Sequence, residues 1–166
     1  QRIRQFLEEE PNLLLRDNVK MHFTASAWVL NPSKDKVLML YHNIYQSWSW
    51  SGGHADGEGD LLSVAMKEVK EESGLVSLKP LSDSPISIEI LGVQPHYKKQ
   101  KYVSAHLHLN YTFLLHNTKE EKLKICPEEN SKVGWLSPDE AVRSSTEAWM
   151  KPIYEKLNQK MRKYLG

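Results

Sequence analysis

The sequence predicts a mixed α/β domain (α+β in arrangement), and three features carry that expectation. Two β-like segments, 22–30 (HFTASAWVL) and 36–42 (KVLMLYH), are joined by NPSKD, whose Asn, Pro, Ser and Asp favour chain reversal. An amphipathic helix with both end signals follows at 60–74. Beyond it, alternating strand-like segments give way to a capped helix and a final helix. At 166 residues the chain is expected to form one domain, 1–166, long enough to bury a core.

Residues 1–10, QRIRQFLEEE, read as a short amphipathic helix that ends before Pro11. After the first two strands, YQSWSWSGG reads as a loop leading into the 60–74 helix. Segments 86–96 and 102–116 read as strands around the basic turn HYKKQK. In the second of these, His106, His108 and Asn110 alternate with Leu107, Leu109 and Tyr111, giving one polar and one apolar face. GWLS at 134–137 reads as a short strand or its end. Ser137 then caps a helix, with Glu140 placed to complete a capping box. A last helix is expected from about Ala148 to Tyr164. No repeat, low-complexity tract or linker interrupts the chain.

Composition narrows the function classes. A net charge of +1 gives no global attraction to a nucleic-acid polymer or an acidic membrane. No apolar run approaches the roughly 18 residues of a membrane span. Cys126 stands alone, which rules out an internal disulfide, fits a reducing cytoplasm and reads as a packing residue. The chain begins at Gln1, consistent with an upstream segment outside this sequence, and what is present has no signal-peptide apolar region.

The 60–74 helix poses the chemical question. Asp60 is placed to cap it and Gly74 to end it in a left-handed conformation. Leu62, Ala65, Met66 and Val69 form one apolar stripe. Glu68, Glu71 and Glu72 share another face, where each like-charge pair costs a few tenths of a kcal/mol. Their cluster centres about 115° from the stripe. Leu61 and Val64 fall on the carboxylate side, and only Ser63, Lys67 and Lys70 make a plainly polar strip. A solvated face balanced by Lys67 and Lys70 is the ordinary reading of such a run. A helix apolar over this much of its circumference is instead covered on more than one side, which puts the glutamates at the edge of a cleft. Carboxylates crowded there raise one another's pKa unless a cation sits among them. Hard oxygen donors suit Mg²⁺ or Mn²⁺, which share their shells with substrate phosphates. Gly52 and Gly53 let backbone approach a ligand closely, and a carbonyl there can add a ligand.

Read from Gly53, the stretch resembles the box of the Nudix hydrolases: G, five residues, E, seven residues, R-E-U-x-E-E-x-G-U, with U aliphatic. Glu68, Val69, Glu71, Glu72, Gly74 and Leu75 match in register. Lys67 stands where Arg is usual, and Gly59 where the first Glu is usual, with Glu58 one place early. The resemblance implies a mixed β-sheet sandwiched between helices. It implies hydrolysis of a pyrophosphate bond in a nucleoside diphosphate linked to another moiety, with Mg²⁺ or Mn²⁺ as cofactor. Glu68, Glu71 and Glu72 would hold metal, assisted by a carbonyl at Gly52 or Gly53. Lys67 would orient the carboxylates without the bidentate fork of Arg.

The general base is left between the box glutamates Glu71 and Glu68 and a loop glutamate in CPEENSKVGW, where Glu128 and Glu129 both stand. Glu129 is the choice of the two, and a solvated loop charge is the ordinary reading of each. Of Trp48 and Trp50, one is expected to face the cleft and stack on a base, the other to pack in the core; Trp50 is the choice for the cleft. His54 is a candidate phosphate contact. His106 and His108 are expected to line the substrate cleft in preference to binding metal. Lys98, Lys99 and Lys101, flanked by Tyr97 and Tyr102, offer a basic turn that can meet phosphate, although a solvated hairpin tip is the default. The partner is thus a small nucleotide, and a homodimer is expected by analogy alone. Two rivals share the fold. A degenerate nucleotide-binding sensor is favoured by Gly59 and Lys67 but opposed by the intact EVKEE. A prenyl diphosphate isomerase would call for a cysteine near HNIYQSWSW, where none stands. No subfamily signature points to one substrate.

Overall fold

Strand β1 (Met21–Leu30) is buried along its whole length, because both faces of the sheet around it are covered. Ala25, Ala27 and Val29 pack with Val64, Ala65 and Val69 of helix α2 (Leu61–Ser73). Trp28 and Leu30, pointing the other way, pack with Tyr154, Leu157 and Met161 of the last helix, Lys151–Leu165. The result is a mixed sheet between helices, as the sequence led one to expect. The computed structural model describes residues 2–98 and 100–166.

Helix α1 (Arg2–Glu9) precedes β1, and β2 (Val37–His42), β3 (Ser47–Ser49) and β4 (Ser51–His54) lead into α2. After α2 come β5 (Leu78–Pro80), β6 (Ser87–Val93), β7 (His96–Lys98), β8 (Lys101–Val103), β9 (His106–Asn117) and β10 (Asn130–Leu136). Helices α3 (Pro138–Ser144) and α4 (Lys151–Leu165) close the chain. The sheet runs β10-β2-β1-β9-β5, with β3 on β2, β4 on β1 and β6 on β9. β1 and β9 are parallel, with His22 opposite His108 and Thr24 opposite Asn110. β4 is antiparallel to β1, with His54 opposite Thr24 and Gly52 opposite Ser26.

Several elements differ from the sequence reading. YQSWSWSGG is not a plain loop: it contains β3 and β4, which form because β2 and β1 offer them pairing partners. The expected strand 86–96 stops at Val93, and its tail pairs with β8 in a separate two-stranded ribbon. β9 therefore starts at His106 instead of 102. β10 begins at Asn130, four residues before the expected 134. β5 was not foreseen, being too short to show alternation. The last helix starts at Lys151 with Pro152 in its first turn, a position that needs no backbone donor. Lys99, part of the expected basic turn, lies outside the described residues.

The helix signals hold in detail. The Asp60 carboxylate accepts from the Leu62 and Ser63 backbone N–H groups, and Gly74 (φ 77°) donates its N–H to the Lys70 carbonyl. Ser137 and Glu140 form the reciprocal capping box.

Candidate active site

Helix α2, pinned at both ends, presents its glutamates to one rim of a cleft of about 800 Å³. Glu72 is the deepest. It is 6% exposed, and its Oε2 accepts from the Ser51 hydroxyl at 2.5 Å and the Gly52 N–H at 3.2 Å. Glu68 sits against Gly53, where an added Cβ would fall 2.6 Å from both carboxylate oxygens. At Gly52 an added Cβ would meet the Ala25 carbonyl at 2.7 Å. The glycine pair is thus what allows β4 to lie between β1 and two carboxylates.

Glu71 differs: its side chain is 54% exposed and pairs with Lys67, itself 65% exposed, at 3.6 Å. An exposed pair of this kind contributes about 0.3–0.5 kcal/mol. Among the described residues Lys67 forms its ion pair with Glu71 and not with the half-buried Glu68 or the buried Glu72.

Burial raises the Glu72 pKa to about 8; the bonds from Ser51 and Gly52 oppose the rise, and the charges of Glu68 and Glu129 add to it. Burial also raises Glu68, with Lys67 opposing and Glu71, Glu129 and Asp56 adding. A buried and a half-buried carboxylate, both disfavoured as anions chiefly by desolvation, are a donor set that fits a hard divalent cation, which would let them ionise together.

Of the two loop glutamates, the fold brings Glu129 to the cleft, while Glu128 is exposed outside its lining. Asn130 explains the placement. It is buried, its Nδ2 donates to the Glu72 carbonyl at 3.0 Å, and its Oδ1 accepts from the Cys126 N–H. This ties the loop before β10 to the end of α2. The sequence reading passed over Asn130 because such a bond joins residues far apart in the chain.

Trp50 lines the cleft and packs edge-on against Tyr154, whereas Trp48 lies edge-on to Tyr41 away from the lining. His54, His106 and His108 also meet in the cleft, and His22 joins them unforeseen. Neighbouring rings have centroids 4.9 to 5.1 Å apart. Burial lowers the pKa of His22, and pushes His108 down to about 2 with help from the surrounding imidazoles. Beyond them Asn110 Oδ1 accepts from the Thr24 and Ser26 hydroxyls at 2.9 and 2.8 Å. The signal for His22 was present: His22, Thr24 and Ser26 alternate with Phe23, Ala25 and Ala27, the same period-two pattern noticed at His106, His108 and Asn110.

The departures from the box are also placed. Glu58 accepts from the Asp60 N–H and supports the helix start, outside the cleft lining. A Cβ on Gly59 would meet nothing within 4 Å, so sterics do not require glycine there.

A mixed sheet between helices, with a carboxylate-lined cleft beside a Gly-Gly strand, defines the class. The family model of the NUDIX domain matches residues 20–157, and the chain belongs to that family. No curated protein sequence matches it. Among solved structures, the chain is similar to an Ap4A hydrolase of C. elegans in a binary complex. That likeness has 18% identity and a TM-score of 0.62, over 82% of this chain and 95% of the other. A NUDIX-family hydrolase from Clostridium perfringens gives 18% identity and a TM-score of 0.61, over 85% of this chain and 96% of that one. The dihydroneopterin triphosphate pyrophosphohydrolase of E. coli gives 17% and 0.59, over 81% and 92%. At these identities the likeness concerns the fold.

Proposed function

We propose that this chain is a Mg²⁺- or Mn²⁺-dependent pyrophosphohydrolase, a single domain acting on a nucleoside diphosphate linked to another moiety. One observation carries the reading: Glu68, Glu72 and Glu129 converge on one cleft although two lie on α2 and the third precedes β10. Family membership supports pyrophosphate hydrolysis as the reaction, and the Ap4A named for one similar structure supports a nucleotide substrate.

Glu68, Glu71 and Glu72 hold the metal in this reading, with a carbonyl at Gly52 or Gly53. When bound, the ion supplies charge neutralisation on the pyrophosphate oxygens and a more acidic water. Ser51 and the Gly52 N–H fix the Glu72 carboxylate, so its position is set before substrate arrives. Glu129 takes the proton from the attacking water as a new P–O bond forms and the bridging P–O bond breaks. Trp50 offers a ring to the base, and His54, His106 and His108 line the wall that meets the rest of the substrate. Lys67 tempers the charge of Glu71 at the rim. Cytoplasmic location rests on the single Cys126. Among the described residues no helix is long and apolar enough to cross a membrane.

The test is a panel of nucleoside-diphosphate-X compounds incubated with Mg²⁺ or Mn²⁺, reading phosphate released after phosphatase coupling. Turnover of at least one compound that stops with chelator and returns with metal is expected. Tight nucleotide binding with no turnover of any compound would overturn the hydrolase reading in favour of a sensor.

A further inference from the structure

The imidazole cluster is a second group of donors, chemically unlike the glutamates. One nitrogen each from His22, His54 and His108 lies within 4.8 Å of the others. They come from three adjacent strands: His22 on β1 faces His108 on β9, and His54 on β4 faces Thr24, two residues further along β1. One of the three rings, His22, is already oriented as a metal-bound histidine is. Nδ1 of His22 lies 3.1 Å from the Asn18 carbonyl, which can only accept, so that nitrogen carries the proton. Its Nε2, left with the lone pair, is buried and has no hydrogen-bond partner among the described residues. His106 is fixed the same way by the Ser104 carbonyl at 2.8 Å. Its Nε2 then accepts at 3.1 Å from Nε2 of His108 and buttresses that ring. A backbone carbonyl on the far nitrogen is the usual outer support of a metal-bound imidazole. A buried acceptor without a donor is costly in an interior, and a bound cation removes that cost.

We propose that His22, His54 and His108 form a binding site for a borderline divalent transition metal such as Zn²⁺ or Co²⁺, on the cleft wall and separate from the carboxylates. An all-nitrogen donor set selects such ions over Mg²⁺, which takes hard oxygen ligands. Tetrahedral coordination at Zn–N of about 2.0–2.1 Å sets ligand nitrogens roughly 3.4 Å apart, so the nitrogens close by up to about 1.4 Å on binding. Three protein ligands leave a coordination position open to the cleft. The site does not depend on the hydrolase reading, and either can fail alone.

The test uses chelator-stripped full chain titrated with Co²⁺ in excess Mg²⁺, without substrate, following visible absorption and bound metal by equilibrium dialysis. One Co²⁺ should bind with the absorption of a nitrogen-rich, low-coordinate site, and Zn²⁺ should displace it. His54→Gln and His108→Gln should weaken binding on the order of 10²-fold or more. His116→Gln should leave it unchanged. Long-range ¹H–¹⁵N spectra of the wild-type protein should show Zn²⁺-shifted ring nitrogens for His22, His54 and His108, a readout that needs no variant to fold. Failure of Co²⁺ to bind, unshifted ring nitrogens, or loss of binding in Glu72→Gln with retention in both histidine variants would overturn the proposal.

Discussion

Glu68 closes over Gly53 so tightly that any side chain at 53 would occupy the space of its carboxylate, with both oxygens 2.6 Å from an added Cβ. The Gly-Gly strand and the box helix are therefore one steric unit, and the two glycines matter for different reasons.

Gly53→Ala is expected to shift the Glu68 carboxylate, the free end of a flexible side chain. Stability should change by under about 1 kcal/mol while Mn²⁺ affinity and turnover fall. Gly52→Ala meets backbone instead, the Ala25 carbonyl at 2.7 Å, and should destabilise by about 1–3 kcal/mol. Melting temperatures and Mn²⁺ titrations of both variants check this. Equal melting losses would contradict it.

The metal-free protein should lose stability as pH rises from 6.5 to 8. Glu72, with its pKa raised from 4.5 to about 8, binds a proton in the folded state that the unfolded chain has released. Its contribution is fully present below 4.5 and is lost as pH rises through about 8. Glu68 and Glu147, also raised by burial, act in the same direction. His22 and His108 are lowered, so their effect has the opposite sign and ends near 6.5, the ordinary histidine value. Between 6.5 and 8 the carboxylates act alone, and the Glu72 share is a fall of about 1–2 kcal/mol. Denaturant unfolding at several pH values measures it. Saturating Mn²⁺ should flatten the slope, and so should Glu72→Gln without metal. A stability that rises over this window would show the carboxylate assignment to be wrong.

Glu129→Gln should separate proton transfer from metal binding. Turnover is expected to fall roughly 10²–10⁴-fold with Mn²⁺ affinity intact. Glu71→Gln should lower both, by about 10²-fold or more in turnover. Paired measurements of turnover and Mn²⁺ affinity distinguish them. Wild-type turnover in Glu129→Gln would return that residue to an ordinary loop charge.

Lys67→Arg should leave stability within about 0.5 kcal/mol, since both members of its ion pair are more than half exposed. Turnover should be kept or raised, because the Arg fork reaches carboxylate oxygens that a point charge does not. A large loss of turnover at unchanged melting temperature would contradict the orienting role.

Sequence by itself determined what is written in local hydrogen bonding and period. The Asp60 and Gly74 caps, the Ser137–Glu140 box, the apolar stripe of α2 and the shared face of Glu68, Glu71 and Glu72 depend on residues within a turn or two. The family spacing from Gly53 to Leu75 is local in the same sense, and it carried the fold class with it. Tertiary structure alone decided which of these residues meet. Glu129 and not Glu128 reaches the cleft because Asn130 bonds the Glu72 carbonyl, 58 positions away. The pairing of β3 with β2 sets Trp48 against Tyr41, while Trp50, the choice made from the sequence, lines the cleft. His22 joins His108 only through the parallel register of β1 on β9, 86 residues apart. Strand register is fixed by burial on both faces of the finished sheet, so no window of local sequence contains it.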